Sequence, residues 1–399
     1  MSNFTPAKAK WATFQDRWVS LNSRPFEICL LYLATRISRV LSLPGLGVLI
    51  SDAGLMRSVL MDGEHFSKTA EGGTSELWDP ILQGPGLLNM SGEAHLDLKR
   101  KLTPLFSSRY LQASVGAAVK AETARLEAVL LSGQPVDIVR SIEVTAARVI
   151  CGLSGYDLAQ TGEPEALEQL ERARGLLRFV KLGTRRLSQS QVEAGLEELA
   201  ELRRNIHLAF DLDREDTIPH ILKGFGLSRD EVTAVITSLV IAGTETVLSH
   251  LPRFTALLIR SGYLGEIAEG ADLDLVVQEG LRVTVPTPVM LRGVVAETNI
   301  RGRLVRPGDR IFMATVFACQ RLGHFNPSRP MPKEYRHIWF GAGVHMCIGL
   351  PLANLEILEY LEMFVRVNRA RPIHITSAKV RRGTLTAGYQ KLEIACQLF

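Results

Sequence analysis

The chain has 399 residues, with 46% hydrophobic and 22% charged residues and a formal net charge of +4. That composition excludes a disordered chain and fits an ordinary soluble globular protein with a large core. The charge is modest and no basic run is interleaved with aromatics, so nucleic acid is not an expected partner.

The N-terminal apolar run Ile28 to Ala34 is interrupted by Arg36 and Arg39 long before a bilayer could be spanned. No signal-peptide layout precedes it, and no stable membrane anchor is expected. Gly47 to Ile50 reads as a short strand, followed by a helix from Asp52 to Met61 that ends near Gly63. Thr69 to Asn89 is rich in Gly, Ser and Pro and reads as a long loop. Glu93 to Arg109 is a basic helical stretch, and Leu111 to Leu131 and Ile138 to Cys151 read as core helices. Gly162 to Gln191 holds charged helix fragments and turn residues, and Asp211 to Asp216 is an acidic loop.

Ser228-Arg229-Asp230-Glu231 has the spacing of a capping box. Val232, Val235, Ile236, Leu239 and Val240 continue from it at helical spacing. This helix meets Ala242-Gly243-Thr244-Glu245-Thr246. A glycine in a helix interior costs about 1 kcal/mol against alanine. The missing side chain at Gly243 would let a flat cofactor or O₂ approach the backbone, and the adjacent acid and alcohol can pass protons. Further on, Glu279 and Arg282 lie three apart and share a helix face. Asn299 to Met313 carries a turn at Pro307-Gly308-Asp309 between strand-like segments, and Thr384 to Leu398 again alternates like a strand. No linker divides the chain. The expectation is one domain over 1–399, mainly α with a minor β region.

The five cysteines (Cys29, Cys151, Cys319, Cys347, Cys396) form no C-x-x-C pair. Neither a zinc site nor a disulfide framework is suggested, and a reducing cytoplasmic setting fits. Cys347 stands apart from the others. It ends the glycine-rich stretch Phe340-Gly341-Ala342-Gly343-Val344-His345-Met346 and opens an amphipathic helix. Gly341 and Gly343 permit φ > 0. Free backbone N–H groups and the helix dipole at that point are expected to favour the thiolate.

The spacing F-G-x-G-x-H-x-C-x-G resembles the haem-ligand signature of the cytochrome P450 family at every fixed position. The resemblance extends over nearly the whole chain and implies the P450 fold, haem b (iron protoporphyrin IX) and Cys347 as the iron ligand. Ala242-Gly243-Thr244-Glu245-Thr246 is similar to the family's A/G-G-x-D/E-T. By that likeness Glu245 and Thr246 deliver protons, while Ala242 and Gly243 form the haem-facing wall. Glu279 and Arg282 match the structural E-x-x-R. His95 and Lys99 resemble H-x-x-x-R with lysine for arginine, and with Arg292 and His345 they are the candidate partners of the haem propionates. Phe340 and Gly341 belong to the cofactor-binding loop, and Ala242, Pro288 and Val289 to the substrate wall. The Thr69 to Asn89 loop corresponds to one that covers the substrate.

The segment Ala318 to Pro330 departs from the family pattern. Only Ala318 and Arg321 match it, and Asn354 replaces a basic residue on the same face. The implied reaction is monooxygenation of an apolar small molecule of terpenoid, polyketide, steroid or fatty acyl type, in bacterial secondary metabolism. The partners would be O₂ and a separate ferredoxin with its reductase, which dock on Lys99, Arg100, Lys101, Lys333 and Arg336. The rival readings are desaturation, coupling or rearrangement, and a haem-binding sensor or carrier. Retention of Glu245 and Thr246 argues against the latter. A cysteine hydrolase built on Cys347 and His345 would lack an orienting group.

Overall fold

The computed structural model describes residues 4–155, 163–215 and 217–397. Helices dominate, and the longest, Arg229–Ser261, is the axis of the molecule. Its start is the expected capping box, with Ser228 and Glu231 capping each other. Among the described residues it is the one helix long and apolar enough to cross a membrane, yet most of its apolar stretch is buried inside the protein. It feeds two apolar cores. Val232, Val235, Ile236 and Val240 pack with Leu199, Leu202 and Ile206 in one. Leu248, Leu251 and Phe254 pack with Val276, Phe325 and Phe364 in the other.

Ten strands among the described residues supply the β region. Five form one sheet in the order β1 (Val40–Leu43), β2 (Gly47–Ile50), β8 (Arg310–Met313), β5 (Met290–Val294), β3 (Phe66–Ser67). A second sheet joins β4 (Val136–Asp137), β10 (Tyr389–Cys396) and β9 (Ile373–Val380). A hairpin pairs β6 (Thr298–Ile300) with β7 (Arg303–Val305). β3 runs antiparallel to β5, with Phe66 opposite Val294 and Ser67 opposite Gly293. Continuing that register brings Lys68 alongside Arg292.

The stretch Thr69 to Asn89 is not wholly a loop, because Ser75–Leu82 is helical. Leu77, Trp78, Ile81 and Leu82 bury one side of this turn pair. The flanking glycines and the internal Pro80 hide that periodicity from a composition reading. The basic stretch Glu93 to Arg109 also breaks, with a helix over Gly92–Leu102 and a tighter turn from Thr103 to Phe106 at Pro104. Proline removes the N–H needed to continue an α-helix. Asp211 and Leu212 end the helix Gln189–Leu212 rather than starting an acidic loop. Asp216, the last residue of that loop, lies outside the described residues, as do Gly162 and Leu398 at the edges of two other segments.

The first helix, Pro6–Ser23, packs along the long helix and is clamped to it by a buried ion pair. Arg253 donates from Nε and Nη2 to the two carboxylate oxygens of Asp16, both at 2.7 Å. The second helix, Pro25–Ile37, leads into β1.

Candidate functional site

The cysteine loop is built by two left-handed glycines, Gly341 at φ 82° and Gly343 at φ 66°. A Cβ on Gly343 would also press on Leu60 O and on the Met61 Cα. The loop closes through the Cys347 N–H, which donates to Phe340 O at 2.8 Å. Three residues later the helix Leu350–Ala370 begins. Phe340 is partly buried and Trp339 fully so.

The Cys347 side chain is exposed, yet protein crowds it enough to desolvate the thiol. Those two facts together describe a recess rather than a convex surface. Desolvation outweighs the amides of Gly349 and Leu350 and the ammonium groups of Lys99 and Lys68, so the thiol is pushed up. The helix start therefore acts in the expected direction but does not by itself favour the thiolate. The apolar enclosure costs the charged form more than the amides return.

The long helix is open along one stripe. Leu239, Ala242, Gly243, Thr246 and Val247 are accessible, while Val240, Ile241, Thr244, Glu245 and Leu248 are buried. Steps of three and four residues place the first set on one face. A Cβ added to Gly243 would meet nothing within 4 Å. Thr246 lies on this stripe and turns its hydroxyl inward, donating to Ala242 O at 3.0 Å. Pro288 and Val289, just before β5, are also partly open.

Glu245 lies on the other side of the helix. Its carboxylate accepts from Arg174 Nε at 3.0 Å, from Arg381 Nη1 at 3.1 Å and Nη2, and from Thr386 Oγ1 at 2.7 Å. Arg174 also bridges to Glu143 at 2.8 Å. The acid and the alcohol predicted as a pair are thus adjacent in sequence but face different surroundings.

Five cationic or basic side chains converge beside the cysteine loop. His345 Nδ1 and His95 Nε2 are 3.2 Å apart. His95 is buried, and its Nδ1 has no hydrogen-bond partner. Arg292 is buried on β5 and donates from Nη1 to Leu291 O at 2.8 Å. Burial lowers its pKa to about 10. Lys99 donates to Val344 O at 2.7 Å and Met346 O at 2.6 Å, so it straps the cysteine loop. Lys68 donates to Leu87 O at 3.2 Å. Burial first, then the charges of Arg292 and Lys99, lower its pKa to about 7, against an upward pull from Cys347. Both histidines are pushed well down, by desolvation first and then by these cations. No carboxylate forms an ion pair with any of the five among the described residues. The sequence reading missed Lys68, because its place beside Arg292 is set by the β3–β5 pairing across more than 200 residues.

The predicted Glu279–Arg282 pair is buried and doubly bonded, at 2.7 Å and 2.6 Å. Arg282 also donates to Cys319 O at 2.6 Å and Gly323 O at 3.1 Å, and Glu279 accepts from the Asn326 N–H at 2.8 Å. The pair therefore ties down the atypical segment after Ala318. Arg321 in that segment reaches Ser51 O and Thr35 O instead.

These residues fit a flat group carrying two carboxylates. An orphaned His95 Nδ1, a cation cluster without anions, a helix face without side chains at Gly243 and a recessed thiol are the features such a group requires.

Comparison with known proteins places the chain among one group of relatives. The cytochrome P450 family profile matches residues 272–380. Mycinamicin IV hydroxylase/epoxidase of Micromonospora griseorubida is 24% identical over 329 residues, covering 78% of this chain and 79% of that protein. Cyclooctat-9-en-7-ol 5-monooxygenase of Streptomyces melanosporofaciens is 26% identical, with 80% of this chain and 79% of that protein covered. Among solved structures, P450BioI in complex with an acyl carrier protein ligated to hexadec-9Z-enoic acid superposes with a TM-score of 0.79 at 17% identity, covering 94% of this chain and 99% of that one.

Proposed function

The chain belongs to the cytochrome P450 family, and from that premise we propose that it is a haem-thiolate monooxygenase acting on an apolar small molecule. The observation that carries this reading is the coincidence of a recessed Cys347, the open stripe through Gly243, and a buried cation cluster with no anion of its own. The cofactor is haem b, with Cys347 as the iron ligand. Bound there, thiolate-ligated haem supplies dioxygen activation, because the sulfur pushes electron density toward O–O cleavage.

The protein's part is to hold and to screen. Coordination deprotonates a thiol outright, which overcomes the desolvation that pushes Cys347 up. His95, Arg292 and His345 take the propionates, joined by Lys68, while Lys99 fixes the loop that carries the sulfur. Thr246 holds a hydroxyl proton at the open stripe and can turn it from Ala242 O toward the cavity. Glu245 takes part in proton delivery by leaving its arginines. Glu279 and Arg282 remain structural. Ala242, Pro288 and Val289 form part of an apolar substrate wall. Relatives named mycinamicin IV hydroxylase/epoxidase and cyclooctat-9-en-7-ol 5-monooxygenase support an apolar substrate of terpenoid, polyketide, steroid or fatty acyl type. A separate ferredoxin and its reductase supply electrons, and the setting is the bacterial cytoplasm.

The test is the optical spectrum of the purified protein, reduced under carbon monoxide. A red-shifted Soret band that disappears in Cys347→Ser is the expected result. A haem-free preparation after reconstitution, or a spectrum unchanged by that substitution, would overturn the reading.

A further inference from the structure

The first two helices carry large apolar side chains on their outward faces. Helix Pro6–Ser23 buries Ala9, Ala12, Thr13, Asp16, Ser20 and Ser23, which are small or polar, together with Val19. Its large apolar side chains point outward instead, with Trp11 55% and Trp18 56% exposed and Phe14 between them. Steps of three and four residues put these three on one face. Helix Pro25–Ile37 buries Ile28 and Leu31 in the core and also turns Phe26 (79% exposed), Leu30, Leu33 and Ile37 (76% exposed) outward along one side. Eight of the sixteen exposed large apolar side chains among the described residues fall between Trp11 and Ile37. Single exposed apolar residues are normal, but such a concentration marks an interaction surface.

The charges around this face have one sign. Lys10 and Arg36 are exposed, and no carboxylate pairs with them among the described residues, while Arg17 turns its guanidinium back to Gln320 O at 3.3 Å. The two acids of the segment are already engaged, Asp16 with Arg253 and Glu27 with Arg24. Tryptophan, tyrosine and aliphatic side chains rimmed by lysine and arginine are what an anionic lipid interface favours. A second copy of the chain fits poorly, since a two-fold contact would set these cations against one another.

We propose that the outward face of helices Pro6–Ser23 and Pro25–Ile37 rests on the surface of an anionic lipid bilayer, as a peripheral and reversible attachment. Trp11 and Trp18 enter the headgroup boundary, while Lys10 and Arg36 meet lipid phosphates.

Flotation of the haem-loaded protein with vesicles of phosphatidylcholine alone, or with about one third phosphatidylglycerol, tests this. Binding to the anionic vesicles, weaker by tenfold or more on neutral ones and lost at high salt, is expected. Trp11→Gln with Trp18→Gln should remove it while leaving the haem spectrum unchanged, because both side chains are exposed. Brominated lipid should quench the fluorescence of the parent and not of the double variant, which retains the buried Trp78 and Trp339. Equal binding to both vesicle types, binding that survives the double substitution, or no binding together with a dimer in light scattering would each overturn the proposal.

Discussion

Two buried charge clusters flank the candidate site, and they are balanced differently. Around Glu245, two carboxylates meet two arginines, since Arg174 joins Glu245 to Glu143 and Arg381 closes on Glu245. Beside the cysteine loop, Lys68, Lys99 and Arg292 meet backbone carbonyls and two neutralised histidines, with no acid. The first cluster satisfies itself and needs nothing from outside. The second pays desolvation for several cations that only an incoming anion can offset. Internal balance marks a cluster that stands without a ligand, and imbalance marks a ligand site.

Removing one half of a balanced pair should do the most damage. Arg282→Leu strands Glu279 and three backbone carbonyls, and should cost about 3–5 kcal/mol in urea unfolding of the haem-free protein. A loss below about 1 kcal/mol would show that burial does not protect these pairs.

Glu356 is the opposite imbalance, an acid with no base. It is buried, its Oε2 has no partner, and desolvation raises its pKa to about 8. Its folded pKa lies above the unfolded value, so the folded state binds more protons between about pH 4.5 and pH 8. Stability from this group is therefore full below the lower value and falls as pH rises through the upper one. Glu356→Gln should stabilise the protein by roughly 2–4 kcal/mol at pH 9 and leave thermal unfolding at pH 4 nearly unchanged. A variant whose advantage does not grow with pH would remove Glu356 from the comparison.

Glu245→Gln should cost roughly 2–3 kcal/mol, because Arg381 loses its acid while Arg174 keeps Glu143. Urea unfolding measures this directly. An equal loss in haem-free and haem-loaded protein is expected, as the network is independent of the cofactor.

The smallest effect is the most discriminating. Lys68→Met should raise the stability of the haem-free protein by about 1 kcal/mol, since it deletes a desolvated cation that lacks an anion. The same change should speed haem transfer to apomyoglobin several-fold. A destabilised haem-free protein with unaltered haem retention would place Lys68 with the structural charges.

What was legible in the sequence was local. The glycine loop before Cys347, the cap at Ser228 and Glu231, and Glu279 with Arg282 each depend on neighbours within ten residues, and spacing alone sets their geometry. The rest depends on distant partners. Arg174 and Arg381 reach Glu245 across 71 and 136 residues. Lys68 meets Arg292 only through sheet pairing. The helix Ser75–Leu82 is visible only once the neighbours that bury its apolar side are known. The net direction of the Cys347 pKa needs the enclosure of the sulfur as well as its place before a helix.

The clamp between Asp16 and Arg253 has a practical consequence. A leading helix that exposes so much apolar surface invites trimming when the protein is made. Cutting before residue 17 would leave the Arg253 guanidinium inside the fold without its counter-charge, on the same long helix as the open stripe through Gly243. Shortened versions should therefore lose cofactor and melt early, even though every residue around the sulfur is untouched.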